Sequence, residues 1–318
     1  MIKKLLQLPL DELQTEAFRL RKIHFGKKLT FSIPDTISYK DNTISLRKNN
    51  FPVVSITGNH CELLCEHCKG KLLQSMIPID SPQTLFEKIE TFRSNGSNGI
   101  LISGGANREG EVPIEKFILP IKLIKENDPN FKIIVHTGFI KEKVAKELKD
   151  AGVDQILIDI IGDDQTIQDV YHLKKRVRDY ENTLFMLKEI GHRIAPHIII
   201  GHHFGEIKGE WNALDIISRV GVECIVIVVI KLFGKENNWK IPELKEISRL
   251  LAATRILNPE IPISLGCIRP SNHFKPLIEI EAIDSGVTTI AYPLQRTIEY
   301  AKEIGLDTKF IGICCSLC

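Results

Sequence analysis

Three cysteines stand within eight residues of one another, Cys61-Glu-Leu-Leu-Cys65-Glu-His-Cys68, in the spacing C-x3-C-x2-C. Soft thiolates grouped in this way select iron–sulfur clusters or zinc. A zinc site normally draws on paired C-x2-C units and would need a fourth ligand here, such as His60. Three thiolates suit a cubane of four irons, because they leave one iron corner free to chelate a small molecule. The loop follows directly on the apolar run FPVVSIT, residues 51–57.

A second group of thiols lies far along the chain. Cys267 sits in SLGCIRP, and the sequence ends GICCSLC with Cys314, Cys315 and Cys318. Thirteen residues from Leu306 to Cys318 can extend about 40 Å, enough to bring the tail back to the mouth of a barrel. An auxiliary iron–sulfur cluster on Cys267, Cys314, Cys315 and Cys318 is the expectation, with a zinc site or a C-terminal redox pair as alternatives. Whether the adjacent Cys314 and Cys315 both ligate stays open. The remaining cysteine, Cys224 in ECIVIVVI, reads as a buried small hydrophobe.

The elements that must position these groups are strands alternating with helices. Eight apolar, β-branched runs occur at Val53–Thr57, Gly99–Ser103, Lys132–Thr137, Gln155–Asp159, Ile194–Ile200, Glu223–Ile230, Ile261–Leu265 and Thr288–Tyr292. Their spacing of about 34 residues is that of a βα unit. Continuous apolar strands suit a parallel sheet buried on both faces, and eight units are enough to close a (β/α)8 TIM-type barrel. A doubly wound sheet is the alternative. Ser81–Ser97 opens with the capping sequence SPQT and carries apolar residues at Leu85, Ile89 and Phe92. Lys141–Gly152 and Arg296–Gly305 end on glycine as helices do, and Asp164–Gly191 is long enough for two helices. The chain divides into an N-terminal extension packed on the barrel (1–50), the barrel (51–305) and a Cys-rich tail (306–318). In such barrels chemistry sits on the loops after the strands, which is where Cys61–Cys68 falls.

The three-cysteine loop after strand one resembles the defining motif of the radical S-adenosylmethionine (SAM) superfamily. That resemblance implies a [4Fe–4S] cluster on Cys61, Cys65 and Cys68, with SAM on the open iron and a 5′-deoxyadenosyl radical as the oxidant. His67 stands where the family usually has an aromatic residue near the adenine. Ser103, Gly104 and Gly105 match the segment whose backbone meets the methionine amine, although Ala106 replaces the glutamate usual there. Asp159, with Asp163 and Asp164 just beyond, matches a strand end that binds the SAM ribose. Gly201 matches a glycine lying along the adenosyl moiety, while Glu206 sits further along than the family pattern has it. Of the adjacent His202 and His203, at most one is expected to be functional, because neighbours on a strand face opposite ways.

RLRKIHFG, GNHCELLCEHCKG, SLGCIRP and the Cys-Cys pair of the tail look like biotin synthase-like proteins, and within them are similar to the two-protein lipoyl synthases of archaea and some bacteria. The likeness implies sulfur insertion into an octanoyl chain held on a carrier protein or peptide. It also implies a homologous radical SAM partner and an electron donor such as ferredoxin. Biotin synthase acting on dethiobiotin, another biotin synthase-like enzyme of carbon-skeleton or maturase chemistry, and a non-catalytic Fe–S partner or scaffold are the other readings.

Composition narrows the classes. Forty-two basic against 40 acidic side chains leave a formal charge of +2, with no basic stripe for nucleic acid. No apolar run reaches the length of a membrane span. The opening MIKKLLQL has the flavour of a signal peptide, but Asp11 and Glu12 interrupt it, so an amphipathic helix is expected there. A cytoplasmic setting follows as an expectation, and eight cysteines there point to metal or redox chemistry instead of disulfides.

Overall fold

The computed structural model describes residues 2–34, 50–233, 239–271 and 273–317; Cys318 and most of the Lys235–Lys240 charge cluster lie outside the described residues. Eleven strands form one sheet. They are β1 (Lys28–Ser32), β2 (Val53–Ser55), β3 (Ile77–Pro78), β4 (Gly99–Ser103), β5 (Lys132–His136) and β6 (Gln155–Asp159). Then follow β7 (Ile194–Ile200), β8 (Ile225–Val229), β9 (Ile263–Leu265), β10 (Thr289–Ala291) and β11 (Asp307–Ile311). The order is β11-β1-β10-β9-β8-β7-β6-β5-β4-β2-β3, and every pairing is parallel.

Each of the eight expected runs is a strand of this sheet, β2 and β4 to β10. The barrel itself is a half-barrel of the TIM type: among the described residues β3 and β11 are free edges, and the hydrogen-bonded ladder does not close between them. On one side β3 is only two residues long and ends in Pro78, which has no N–H to continue a ladder. The segment 1–50 does more than pack on the outside, because β1 is inserted between β10 and β11. The tail likewise supplies the edge strand β11, with Leu29 and Phe31 buried in β1 beside it.

The helices cover the outer face. Pro82–Ser94 is capped by Ser81, whose Oγ accepts from the Thr84 N–H at 3.1 Å, and it buries Leu85, Ile89 and Phe92. Asp164–Gly191 is two helices, Asp164–Asp169 and Val177–Glu189. The N-terminal helix Leu10–Phe25 packs on Leu244–Leu257 through Leu13 and Ala17. Its buried Arg21 donates to the carbonyls of Val287, Gly26 and Lys28, so the charge is matched by oxygens it organises. No described helix is long and apolar enough to cross a membrane.

The sheet has two apolar faces. The outer one joins the helices; the inner one is a smaller cluster of Phe51, Ile134, Leu157, Ala195, Val226 and Val228 that lines the lumen. Beyond β11 the tail turns into this lumen. Ser32 Oγ donates to Ile313 O at 2.6 Å, Ser264 Oγ to Cys315 O at 2.6 Å, and Gln155 Nε2 to Ser316 O at 2.7 Å. Gln155 opens β6, so the tail descends from the mouth of the half-barrel towards its floor instead of stopping at the mouth.

Candidate active site

The cysteine loop is a series of tight turns held from two sides. Within it, the Cys68 and Lys69 amides donate to Cys65 O, and Leu64 and Lys69 take positive φ, an uncommon conformation for non-glycine residues. On one side Glu62 N donates to Ala106 O at 2.9 Å, and Cys61 Sγ lies 3.8 Å from the same oxygen. On the other, Glu66 N donates to Val170 O, and the Glu66 carboxylate meets His172 Nε2 at 3.1 Å.

Cys61, Cys65 and Cys68 line one cavity of about 180 Å³ together with His67, Ser103, Gly104, Gly105, Ala106, His136 and Asp159. Burial pushes the Cys65 thiol well above the ordinary range, and the nearby Cys68 and Cys61 push it the same way. Among the described residues no three His, Cys, Asp or Glu side chains converge to hold a single metal ion. Three thiols on one cavity suit a cluster that takes one thiolate per iron and leaves an iron open, whereas a structural zinc site takes four ligands.

The remaining residues singled out by sequence fall as follows. Gly105 packs directly against the loop: a Cβ built there would lie 2.6 Å from Cys61 Cα and closer still to His60 O, so only glycine fits. Its N–H donates to Thr57 Oγ1 at 2.7 Å. Gly201 has φ +84° and abuts Pro242; its N–H donates to Glu210 Oε1 at 2.8 Å, and it does not line the cavity of the cysteines. His67 lines that cavity with its ring edge-on to His202, the centroids 4.6 Å apart. His202 Nε2 is 3.2 Å from His67 Nδ1, and Tyr171 Oη is 2.8 Å from His202 Nδ1. Burial pushes His67 down to about 4, against the pull of Asp159, so the ring is neutral. His203 turns away to Thr166 Oγ1 at 3.1 Å; both histidines lie in the turn beyond the end of β7, so it is the turn at Gly201 and not strand alternation that separates them.

Asp159 ends β6 and lies 3.5 Å from His136 Nε2 at the end of β5. Burial opposes the charge of Asp159, but His136 and the neighbouring His197 and His202 overcome it and hold the carboxyl well below the usual range. His136 is raised in turn: burial works against its charge, and Asp159 more than offsets it. His136, His197 and the Tyr171–His202 contact were not singled out by sequence. The available signal was a histidine on the lumen-facing register of otherwise apolar strands.

Of the second thiol group, Cys315 is buried in the lumen, Cys314 is half-buried and Cys267, just after β9, is exposed. Cys314 and Cys315 hydrogen-bond to each other, and Cys267 is within electrostatic reach of both. Hydrogen bonding from Cys315 outweighs burial and, with Ser316, brings Cys314 down to about 7. Cys315 is raised well above its ordinary value, first by its bond to Cys314 and then by burial. Cys224, read as core, is buried as expected and also lies near Cys315.

A sequence profile described as the radical SAM superfamily matches residues 55–210, the stretch from β2 through the start of the helix after β7. The chain belongs to the radical SAM superfamily. Within it the relatives are biotin synthase-like. The biotin synthase of Leptospira biflexa serovar Patoc is 23% identical over 270 residues, covering 83% of this chain and 70% of that one. The biotin synthase of Saccharopolyspora erythraea is 26% identical over 262 residues, covering 78% and 66%. Among solved structures, methylornithine synthase aligns with a TM-score of 0.64 at 12% identity over 97% of this chain and 93% of that one. The FeFe-hydrogenase maturase of Carboxydothermus hydrogenoformans aligns at 0.63 and 15% identity, over 97% and 78%. At these identities the structural likenesses establish the fold. The superfamily uses a [4Fe–4S] cluster with SAM, and the radical SAM loop of this chain offers it three thiols around one cavity.

Proposed function

We propose that this protein is a radical SAM sulfur-insertion enzyme, one partner of a two-protein lipoyl synthase that thiolates a carrier-bound octanoyl chain. The observation that carries this reading is the descent of the tail into the lumen, which brings Cys314 and Cys315 within electrostatic reach of Cys267 in the same half-barrel whose mouth holds Cys61, Cys65 and Cys68. The kinship with biotin synthases, themselves sulfur-inserting, supports the same class of reaction.

In this scheme Cys61, Cys65 and Cys68 hold the [4Fe–4S] cluster and leave one iron for SAM. The bound group supplies the 5′-deoxyadenosyl radical that abstracts hydrogen from an unactivated carbon. Ser103, Gly104 and Gly105 place backbone beside the loop, and His67, kept neutral by burial, walls the cavity. Cys267 and Cys314, with Cys315 and Cys318 as further candidates, hold an auxiliary iron–sulfur cluster as the sulfur source. Cys314, whose thiol is brought down by its hydrogen bonds, is suited to ligate as thiolate. Electrons come from a ferredoxin-like donor, and a homologous radical SAM protein completes the enzyme in the cytoplasm.

The test is an anaerobic reaction containing the reconstituted protein, SAM, a reductant, an octanoylated carrier peptide and the homologous partner. Thiolated peptide detected by mass supports the proposal; its absence alongside full SAM cleavage refutes it. Biotin synthase activity is the second reading, favoured by the names of the curated relatives, and dethiobiotin in place of the peptide separates the two.

A further inference from the structure

The cavity that the three loop cysteines line also receives a tyrosine that the sequence did not single out. Tyr180 lies in the first turn of the helix Val177–Glu189 and is buried with Thr183, Leu184 and Leu187, the i, i+3, i+4, i+7 stripe of a helix packed on a core. Its ring lies against Phe139, the centroids 4.4 Å apart and the planes tilted by 48°. Both rings line the cavity together with Asp159 and Cys65. Phenylalanine would complete the same stripe and make the same ring contact, so packing accounts for the ring and not for the hydroxyl.

Tyr180 is only 5% exposed, and its Oη makes no hydrogen bond among the described residues. Two other tyrosines show the usual arrangement. Tyr171 Oη lies 2.8 Å from His202 Nδ1, and Tyr300 Oη donates to Asp284 Oδ1 at 2.6 Å. A phenol taken out of water normally finds such a partner, because leaving it unpaired forfeits its hydration. Tyr180 Oη is within electrostatic reach of the Asp159 carboxylate and the Cys65 thiol, and burial together with these two groups keeps it a neutral phenol. The wall of the cavity thus carries an O–H donor beside a carboxylate acceptor.

Asp159 decides what that donor can serve. A carboxylate only accepts, so a group bound between the two must donate to Asp159 and accept from Tyr180. A carboxylate of the ligand could accept from Tyr180 but would meet the charge of Asp159. An ammonium would suit Asp159 but has no lone pair for Tyr180. A hydroxyl does both, and SAM carries two, side by side on its ribose.

We infer that Tyr180 is a SAM-binding residue, its O–H donating to a ribose hydroxyl that itself donates to Asp159. The ribose role of Asp159 is expected from the sequence; Tyr180 adds the donor that makes this part of the cavity selective for a hydroxyl. The assignment depends on SAM binding alone and not on which substrate receives the radical.

The test is equilibrium binding of SAM, 2′-deoxy-SAM and 3′-deoxy-SAM to the anaerobically reconstituted full chain, as wild type and as Tyr180→Phe. Iron content and the unfolding midpoint of the SAM-free protein are measured alongside. Tyr180→Phe should bind SAM about three- to tenfold more weakly, the effect of one neutral hydrogen bond. One of the two deoxy analogues should bind wild type and variant alike, because it lacks the hydroxyl that Tyr180 serves. Iron content and the SAM-free midpoint should match the wild type, since the ring packing is kept; a hydroxyl needed for the fold would lower the midpoint instead. Equal SAM binding by the two proteins, no SAM binding by the wild type, a lowered midpoint, or a loss of the same size for SAM and both analogues overturns the assignment.

Discussion

Replacing Gly105 by alanine adds one methyl group at the place where the strand-end loop touches the cysteine loop. The new Cβ would lie 2.6 Å from Cys61 Cα, against a comfortable carbon–carbon separation of about 3.5–4.0 Å. The obstacle is backbone on both counts, His60 O and Cys61 Cα, so no side chain can swing aside and the cysteine loop must move by about 1 Å. Overpacking of this kind costs about 1–3 kcal/mol, which should lower the midpoint of thermal unfolding by several degrees. The larger effect falls on chemistry, since a 1 Å misplacement of a reacting centre costs on the order of a hundredfold in rate. Gly104 is the control: its Cβ would meet only side-chain atoms of Ile56, Thr57 and Val112, at 3.2 Å, and these can give by a few tenths of an ångström. Iron content, unfolding temperature and 5′-deoxyadenosine formation should fall in Gly105→Ala and stay near wild type in Gly104→Ala. Wild-type SAM cleavage by Gly105→Ala, or equal damage from both variants, would show that the contact does not position the loop.

Other perturbations follow from the same geometry. Because burial holds Cys65 as a thiol at neutral pH, cluster loading must release its proton; iron uptake should strengthen as pH rises, and pH-independent loading between about pH 6 and 9 would contradict this. Cys267→Ala should retain SAM cleavage and lose sulfur transfer, as read by product mass; thiolated product at the wild-type rate would remove the auxiliary thiols from the reaction. The Arg269–Glu279 pair is fully buried, with Lys275 at 3.8 Å the other cation on Glu279, so Arg269→Ala removes the closer, buried partner and should cost up to about 3–5 kcal/mol in denaturant unfolding. Tyr171→Phe strips His202 of a buried partner and should cost about 1–3 kcal/mol, measurable as a lower unfolding midpoint.

Much of this site was legible because its residues are close in sequence. Cys61, Cys65 and Cys68 announce themselves by spacing, and the eight strands β2 and β4 to β10 by apolar, β-branched runs. The edge strands were less visible for physical reasons. DTKFI in β11 is partly exposed and mixes charges with apolar residues, and β3 is two residues long. Strand β1 falls in the extension 1–50, which the sequence assigns only as packed on the barrel, whereas the sheet has it between β10 and β11. The polar layer of His136, Asp159 and His197 comes from three strands whose adjacency is tertiary. Only the alternation rule, applied to a histidine within HIII, hinted at it. The course of the tail was open to length arguments alone. Its descent is fixed by Ser32, Ser264 and Gln155, hydrogen-bonding residues scattered over the first 264 positions.

Anaerobic reconstitution of the full chain with iron and sulfide, followed by quantitation of 5′-deoxyadenosine after addition of SAM and a strong reductant, bears most directly on the role of Cys61, Cys65 and Cys68. Wild-type protein should form 5′-deoxyadenosine and Cys65→Ala none. A wild-type protein that binds four irons at the loop yet leaves SAM intact, or a Cys65→Ala variant that cleaves SAM at the same rate, would contradict the assignment of these thiols.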